Sequence, residues 1–193
     1  MSRVILRVQD QLQRINLLSE EIDKIKLIET SILRNRPDEK TWSVIEVVEH
    51  MVLAHKPYQS KLDDTLHQLP TATQPIDEIK SKAIPSFLIK RFPPVKGKIK
   101  FKMKTMKQFT PLLSVESLDE GEINQIFDQF QNSLVHLNKV IKAYRGKKVK
   151  NIRFNSAIGA SVKFNVAEAC EFIICHNERH LHQIKNILKK VNN

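Results

Sequence analysis

The sequence predicts an all-α protein built as a four-helix bundle. Apolar residues recur every three or four positions in four segments, at about residues 3–34, 43–69, 122–145 and 166–190. This is the spacing of a helix with one buried face. A long proline-rich stretch separates the second and third segments, and a connection of that length lets those two helices run parallel. We therefore expect a single domain over residues 1–193, with up-down-down-up helix order and a long irregular crossover between helices 2 and 3.

The ends of the first two helices are marked by capping and breaking residues. Pro37 ends the first helix, because the residue before a proline avoids the helical conformation. Ser43 is a favoured N-cap for the second helix, and Glu46 follows three residues later in the position of a capping box. Pro57 lies inside the second helix and is expected to kink it, since its ring removes one backbone hydrogen bond.

The crossover, residues 70–121, holds six of the chain's eight prolines, which argues against a long helix there. Within it, residues 98–104 have the sequence KIKFKMK, and this alternation predicts an extended segment that lies along the bundle. We expect one side of the segment to face the bundle, with Ile99, Phe101 and Met103. The other side should face water, with Lys98, Lys100, Lys102 and Lys104. A second irregular stretch, residues 147–165, leads into the last helix.

The net charge of +11 has its origin in the crossover. Ten of the chain's 32 lysine and arginine residues, and none of its 21 acidic residues, lie in residues 80–115. This concentration admits a non-enzymatic binding module in which residues 80–107 grip an acidic partner or nucleic acid. A steep fall of affinity with salt would support such a module. Nucleic acid is disfavoured, because these lysines alternate with core-type hydrophobic residues and lack the aromatic interleaving of single-strand binders.

The composition favours a cytoplasmic protein. The two cysteines, Cys170 and Cys175, are too few for a disulfide framework, and both are expected to be small core residues. No uncharged run approaches the ~20 residues of a membrane-spanning helix, and the N-terminus lacks the apolar core of a signal peptide. We expect no membrane partner. The oligomeric state stays open, with a homodimer as one option.

The last helix carries a pair of histidines on its inward face. His176 and His180 replace hydrophobic residues in a series of positions three and four apart. Residues four apart on a helix have Cβ atoms ~5–6 Å apart, close enough for two imidazoles to bind one metal ion. His182 is turned by roughly 200° from His180 and cannot join them. Such a pair also occurs as packed or surface histidines, so it does not define a metal site alone.

A metal ion bound by two histidines needs a third ligand from another helix. Helix 2 offers His50 and His55, which lie on adjoining apolar stripes, and periodicity does not distinguish between them. His67 and His136 have polar neighbours in the sequence and are expected to be solvated.

Two motifs resemble those of the DinB-like superfamily, a group of four-helix bundles. Residues 36–51, RPDEKTWSVIEVVEHM, are similar to the start of its second helix, where a Trp-Ser pair precedes a Glu-His-Leu-like metal ligand. Residues 176–184, HNERHLHQI, resemble its closing motif, in which both histidines four apart bind metal. The resemblance covers nearly the whole chain, with Met51 as a conservative replacement of leucine. It implies that the metal ligands are His50, His176 and His180.

A three-histidine site predicts catalytic chemistry. Three neutral imidazoles leave the ion its full charge and at least one open position, as in catalytic rather than structural sites. Zinc is the first choice, and nickel, iron or manganese can occupy the same ligands. The resemblance implies two activities: S-transfer with a low-molecular-weight thiol such as bacillithiol, mycothiol or glutathione, and metal-dependent hydrolysis. We place thiol transfer to a small electrophile first and hydrolysis of a small-molecule substrate second.

Three further residues near these motifs have a functional as well as a structural interpretation. Glu46 could serve as a general base or accept a histidine N–H, but its capping position favours a structural role. Arg179 could meet an anionic cofactor, or form a salt bridge with Glu46 or Glu49 of helix 2. Trp42 is expected to pack at the start of helix 2 rather than to form a platform for substrate.

Overall fold

Four long helices make up most of the described chain, which comprises residues 3–99, 101 and 103–191 of a computed structural model. In chain order the helices and strands are β1 (Ile5–Arg7), α1 (Val8–Lys26), α2 (Thr30–Arg34), α3 (Val44–Gln68), β2 (Glu78–Lys80), α4 (Ala83–Arg91), α5 (Glu120–Tyr144), β3 (Phe154–Ser156), β4 (Gly159–Phe164) and α6 (Val166–Val191). Two single 3-10 turns, Lys107–Phe109 and Val115–Ser117, lie in the crossover.

The long helices α1, α3, α5 and α6 pack around a common core. Helix α3 packs against α5 and α6, and α1 packs against the same two helices. Their inward residues are apolar, as the helical spacing predicts, and include the fully buried Ile22, Val47, Phe127 and Ile184. The mostly helical architecture that the sequence predicts is therefore present, with small strand hairpins added to it. The up-down-down-up order of the helices stays a prediction.

The first predicted helix, residues 3–34, is wrong in its extent. Residues 5–7 form β1, which pairs antiparallel with β2 and places Leu6 opposite Ile79. Leu6 and Val8 are both buried. Buried residues two positions apart are typical of a strand, and they precede the three- and four-residue spacing of α1. Farther along, Glu29 is extended, with φ −52° and ψ 132°, and separates α1 from α2. Neither glycine nor proline marks that break in the sequence.

Capping boxes fix the starts of α3, which carries His50, and of α6, which carries His176 and His180. At α3 the predicted box is present: the Ser43 N–H donates to Glu46 Oε2 (2.8 Å) and the Glu46 N–H donates to Ser43 Oγ (3.3 Å). At α6 the Asn165 N–H donates to Glu168 Oε2 (3.0 Å) and the Glu168 N–H donates to Asn165 Oδ1 (2.9 Å). Glu168 is fully buried and also pairs with Arg153 at 2.7 Å. Both helix starts are thereby held in defined positions.

The crossover is more regular than predicted, since it contains β2, α4 and the two 3-10 turns. Pro85 is tolerated in α4 because it occupies the first turn, where a backbone N–H has no intrahelical acceptor. Helix α4 packs against α6 and β4. The crossover therefore covers one side of the last helix.

Residues 98–104, predicted to be extended, form no strand where the structure describes them, and their extended conformation stays a prediction. At the start of the segment, Val95 and Lys98 exchange backbone hydrogen bonds of 2.9 and 3.1 Å in a tight turn. Phe101 packs partly buried against the core, as predicted, whereas Met103 is 43% exposed. Two of the four lysines predicted to face water, Lys98 and Lys104, are exposed. The other two, Lys100 and Lys102, lie outside the described residues.

Both cysteines lie in the core, as predicted. Cys170 and Cys175 are buried on α6 and form no disulfide. Burial raises the pKa of each thiol well above its usual value. Among the helices of the described chain, none has the length and apolarity needed to cross a membrane.

Candidate metal centre

Three imidazoles from two helices come together in the core. His50 lies on α3, and His176 and His180 lie on α6. The ring centroids are 5.3 Å apart for His50 and His176, 4.6 Å for His50 and His180, and 4.4 Å for His176 and His180. One nitrogen from each ring lies within 4.8 Å of the other two. The structure thus groups the three histidines that the sequence motifs identify as ligands.

Ion pairs on the opposite side of α6 fix its orientation. Arg14 of α1 donates to Glu171 (2.5 Å) and to both carboxylate oxygens of Glu178 (2.6 and 2.7 Å). Positions 171 and 176 are about 140° apart around a helix. Because α1 holds the face with the two glutamates, His176 and His180 point toward α3.

Hydrogen bonds at Nδ1 orient two of the three rings. His50 Nδ1 lies 2.7 Å from the backbone carbonyl oxygen of Phe109, and His180 Nδ1 lies 2.9 Å from Gln183 Oε1. A carbonyl oxygen accepts only, so Nδ1 carries the proton in both rings. The lone pair is then on Nε2. Metal-ligating histidines commonly have this arrangement, in which the second ring nitrogen donates to an oxygen.

The three rings are neutral near pH 7. Burial lowers the pKa of His50, and it lowers the pKa of His180 to about 3. Burial, followed by the nearby His180 and His50, places the pKa of His176 well below its usual value. Neutral imidazole is the form that binds a metal ion.

This donor set fits a divalent ion. A tetrahedral zinc ion takes Zn–N distances of ~2.0–2.1 Å, which correspond to nitrogens roughly 3.4 Å apart. The ligand nitrogens lie within 4.8 Å of one another, so they would have to approach each other further to hold one such ion. Imidazole also suits nickel and iron, so the ligands do not select one metal.

His55 lines the same cavity but has a different partner. His55 Nε2 lies 3.0 Å from Nδ2 and 3.2 Å from Oδ1 of Asn177, so this ring nitrogen is engaged by the Asn177 amide. The ring is buried and packs 5.8 Å from Phe130, centroid to centroid. Burial lowers the pKa of His55 to about 4. It is a neutral core histidine outside the group of three.

The remaining three histidines lie away from the centre. His182 Nε2 accepts from Asn186 at 3.0 Å, and His67 is exposed, as expected. His136 is not simply solvated: its Nε2 lies 2.8 Å from Asp63 Oδ1.

The three histidines line a cavity of about 370 Å³. Its walls are largely apolar and include Trp42, Phe92, Ile99, Phe109, Ile158 and Phe172. Ile99 and Met103, from the segment expected to lie along the bundle, and Met106, just beyond it, line the cavity, so this part of the crossover covers it. Lys40, Lys104 and Arg179 supply positive charge, and no aspartate or glutamate is among the described lining residues.

Glu46 has no place at the centre, because its carboxylate is fully engaged elsewhere. Besides the capping box, it accepts from Arg36 at 2.8 and 2.6 Å. Burial raises its pKa, but the bonds from Arg36 and Ser43 outweigh burial and hold the pKa below its usual value. Glu46 is also not among the residues that line the cavity. This arrangement favours the capping role.

Arg179 lines the cavity and lacks the salt bridge expected with Glu46 or Glu49. Its Nη1 donates to the carbonyl oxygen of Phe101 at 2.7 Å. No carboxylate of the described residues lies within ion-pair distance of it. Of the two partners considered, Glu46 pairs with Arg36, and Glu49 is not within ion-pair distance of Arg179.

Several residues at the centre do not follow from the sequence motifs. Gln183 lies three positions after His180, a helical spacing that could have identified it. The carbonyl of Phe109 carries no sequence signal. Tyr58 also lines the cavity, where its hydroxyl lies 2.6 Å from Ser156 Oγ. Trp42 packs against the core, as expected, but its ring also lines the cavity, 5.3 Å from that of His50.

Fold and centre together define a class of protein: a mostly helical bundle with a three-histidine group in a core cavity. Among solved structures, the chain is similar to YfiT from Bacillus subtilis, described as "a probable metal-dependent hydrolase with an unusual four-helix bundle topology". The two are 12% identical, with a TM-score of 0.59 over 96% of this chain and 87% of that one. This likeness shows the DinB-like fold that the sequence motifs imply. No protein-family model matches the sequence, and a comparison with curated proteins found no match.

Proposed function

We propose that this chain is a metal-dependent enzyme in which His50, His176 and His180 hold a divalent ion beside a small-molecule cavity. The observation that carries the proposal is the grouping of three neutral imidazoles, within 4.8 Å of one another, in the wall of an apolar cavity. Three protein ligands leave a coordination position open to substrate. We also propose that the four long helices follow one another in up-down-down-up order, as the length of the crossover predicts.

The chain's own residues orient the ligands and exclude water. The bonds from Nδ1 to Phe109 and Gln183 keep Nε2 of His50 and His180 free. The apolar walls lower the local dielectric, which strengthens charge interactions with a bound molecule. When bound, the ion supplies Lewis-acid chemistry: it acidifies a water or thiol ligand and polarises a carbonyl or phosphoryl oxygen.

Hydrolysis of a small substrate is the reaction we now place first, ahead of the thiol transfer that the sequence alone favoured. It is supported by the shared fold with YfiT, a probable metal-dependent hydrolase. The test is turnover of a panel of small esters, amides and phosphoesters by protein loaded with zinc, nickel, iron or manganese. We expect turnover that a chelator abolishes and added metal restores. His176→Ala is the matched control and should be inactive with every metal. Turnover that persists in His176→Ala, or none with any metal, would contradict a hydrolase at this site.

Thiol S-transfer is the second candidate, and the charge of the cavity favours it. No carboxylate lies among the described lining residues, so none is available there as a general base toward water. A thiol, with a pKa of ~8.5, loses its proton far more readily than water. The chain's own cysteines are buried and do not line the cavity. The thiol would therefore be a cosubstrate such as glutathione, bacillithiol or mycothiol.

Cobalt substitution separates the two candidates. A thiolate that binds cobalt gives a sulfur-to-metal charge-transfer band, and thiolate binding lowers the pKa of the thiol below its free value. For S-transfer, each cosubstrate thiol should be tested for this band at neutral pH with the wild-type protein and with His176→Ala. A band in the wild type alone supports S-transfer. An unchanged spectrum with all three thiols would contradict S-transfer.

A further inference from the structure

Arg179 is a half-buried cation without an acidic partner among the described residues. It immediately precedes His180 on α6 and lines the same cavity. One of its five N–H donors is accounted for by the Phe101 carbonyl, and its guanidinium carbon lies 5.5 Å from the centroid of the Phe92 ring. Neither contact neutralises its charge.

Two other shielded arginines of the chain are neutralised by carboxylates. Arg14 pairs with Glu171, and Arg153 pairs with Glu168. This is the general rule, because a charge removed from water is costly unless it is paired. Among the described residues, Arg34 and Arg179 are the shielded arginines without a carboxylate at ion-pair distance, and of these two only Arg179 lines the cavity.

The cavity as a whole carries positive charge. Lys40 and Lys104 also line it, both exposed, whereas none of the described lining residues is acidic. A concave site with one sign of charge attracts ligands of the opposite sign. Its apolar walls and its volume of about 370 Å³ suit a small organic molecule rather than a bare inorganic anion.

We infer that the cavity binds a small carboxylic acid with an apolar body, and that Arg179 binds its carboxylate. The planar guanidinium matches a carboxylate with two parallel hydrogen bonds. Among the described lining residues, Arg179 is the one cation shielded from water, since Lys40 and Lys104 are exposed. One shielded positive charge matches a carboxylate better than a phosphate dianion. We further infer that the other, reactive end of the bound molecule faces the three histidines, and this part rests on the proposed function.

Trp42 provides a direct readout of binding. It is the chain's single tryptophan and lines the cavity. The probes are 4-phenylbutyrate and its neutral analogue 4-phenylbutanamide, titrated into the full chain in the presence of a chelator while Trp42 fluorescence is followed. We expect the acid to bind more tightly than the amide by roughly tenfold or more, as one charge-assisted contact provides. Phenyl phosphate, as a third probe, should bind more weakly than the acid.

Arg179→Gln should remove the preference for the acid. Arg91→Gln is the matched control and should keep it, because Arg91 is exposed on α4 and does not line the cavity. Arg179→Lys keeps the charge without the two-pronged donor, so it should keep part of the preference, and it serves if Arg179→Gln does not fold.

Three results overturn the inference. They are equal affinity of the wild type for acid and amide, a preference as large in the Arg179 variants as in the wild type, and no saturable response to either probe. Zinc stoichiometry, measured on separate portions of the same proteins without chelator, tests the proposed function separately. If the wild type binds zinc but does not prefer the acid, only the role of Arg179 is refuted. If it prefers the acid but does not bind zinc, only the metal centre is refuted.

Discussion

His50 Nδ1 donates a 2.7 Å hydrogen bond to the backbone carbonyl of Phe109, a residue 59 positions away in the chain. This bond joins α3 to the Lys107–Phe109 turn of the crossover. It fixes the protonated nitrogen of His50, and it ties the segment that covers the cavity to the ring that lines it. This one contact therefore links the candidate metal centre to the segment that covers the cavity.

Removal of any of the three grouped histidines should abolish tight metal binding. We expect His50→Ala, His176→Ala and His180→Ala each to lose stoichiometric zinc after dialysis, because two remaining imidazoles are too few for a tight site. Elemental analysis of the dialysed protein measures this. His55→Ala and His182→Ala are the controls and should keep zinc. Full zinc in His50→Ala, with loss in His55→Ala, would show that the other stripe of α3 supplies the ligand.

Gln183 should set the zinc affinity through His180. Its Oε1 accepts from His180 Nδ1 at 2.9 Å, and loss of such an acceptor weakens metal binding by roughly 10–100-fold. We therefore expect Gln183→Leu to bind zinc more weakly in competition with a chromophoric chelator. Gln183→Glu keeps the acceptor and should bind at least as tightly as the wild type. Equal zinc affinity in Gln183→Leu and the wild type would show that the hydrogen bond has no such role.

Long periodic segments could be predicted from the sequence, and short ones could not. Helices α3, α5 and α6 lie within two residues of the predicted 43–69, 122–145 and 166–190, because seven turns of amphipathic spacing are unambiguous. The three-residue β1 is too short for spacing to separate strand from helix. Its pairing with β2 depends on a segment about 70 residues later. Periodicity also missed the break after α1, which neither glycine nor proline marks.

The centre was predictable to the extent that its residues share one helix. His176 and His180 follow from spacing alone. The choice of His50 over His55 came from the motif resemblance, and its physical basis lies in distant partners: Phe109 orients one ring and Asn177 occupies the other. The unpaired state of Arg179 could not be foreseen, since it depends on which cation binds Glu46.

His55 should make the protein less stable in mild acid. Its pKa is about 4 when folded and about 6.5 when unfolded, so between these values the unfolded chain binds more protons. The free energy of unfolding therefore falls as pH decreases from 6.5 to 4, and this group adds no further change outside that window. At pH 5 the expected loss from His55 is on the order of 2 kcal/mol.

Urea unfolding at pH 7 and pH 5, in chelator, measures this effect. His55→Gln does not titrate in this range and is the comparison, since the other buried histidines titrate in both proteins. The wild type should lose more stability than His55→Gln over this interval. An equal loss in the two proteins would show that His55 is not held neutral by the fold.

Phe101 should anchor the cover of the cavity to the bundle. Its ring is partly buried and lies 6.0 Å from that of Phe92, centroid to centroid. A fully buried phenylalanine loses ~3–5 kcal/mol on replacement by alanine, and partial burial reduces the expected loss for Phe101→Ala to about 1–2 kcal/mol. Met103→Ala, in the same segment but 43% exposed, should change stability by less than about 0.5 kcal/mol. Denaturant unfolding of the two variants measures the difference.

Because Phe101→Ala keeps the backbone carbonyl that binds Arg179, a loss of stability in this variant reports the packing of the ring alone. Equal stability of wild type and Phe101→Ala would mean that the cover is held by its backbone contacts to Arg179 and His50 instead.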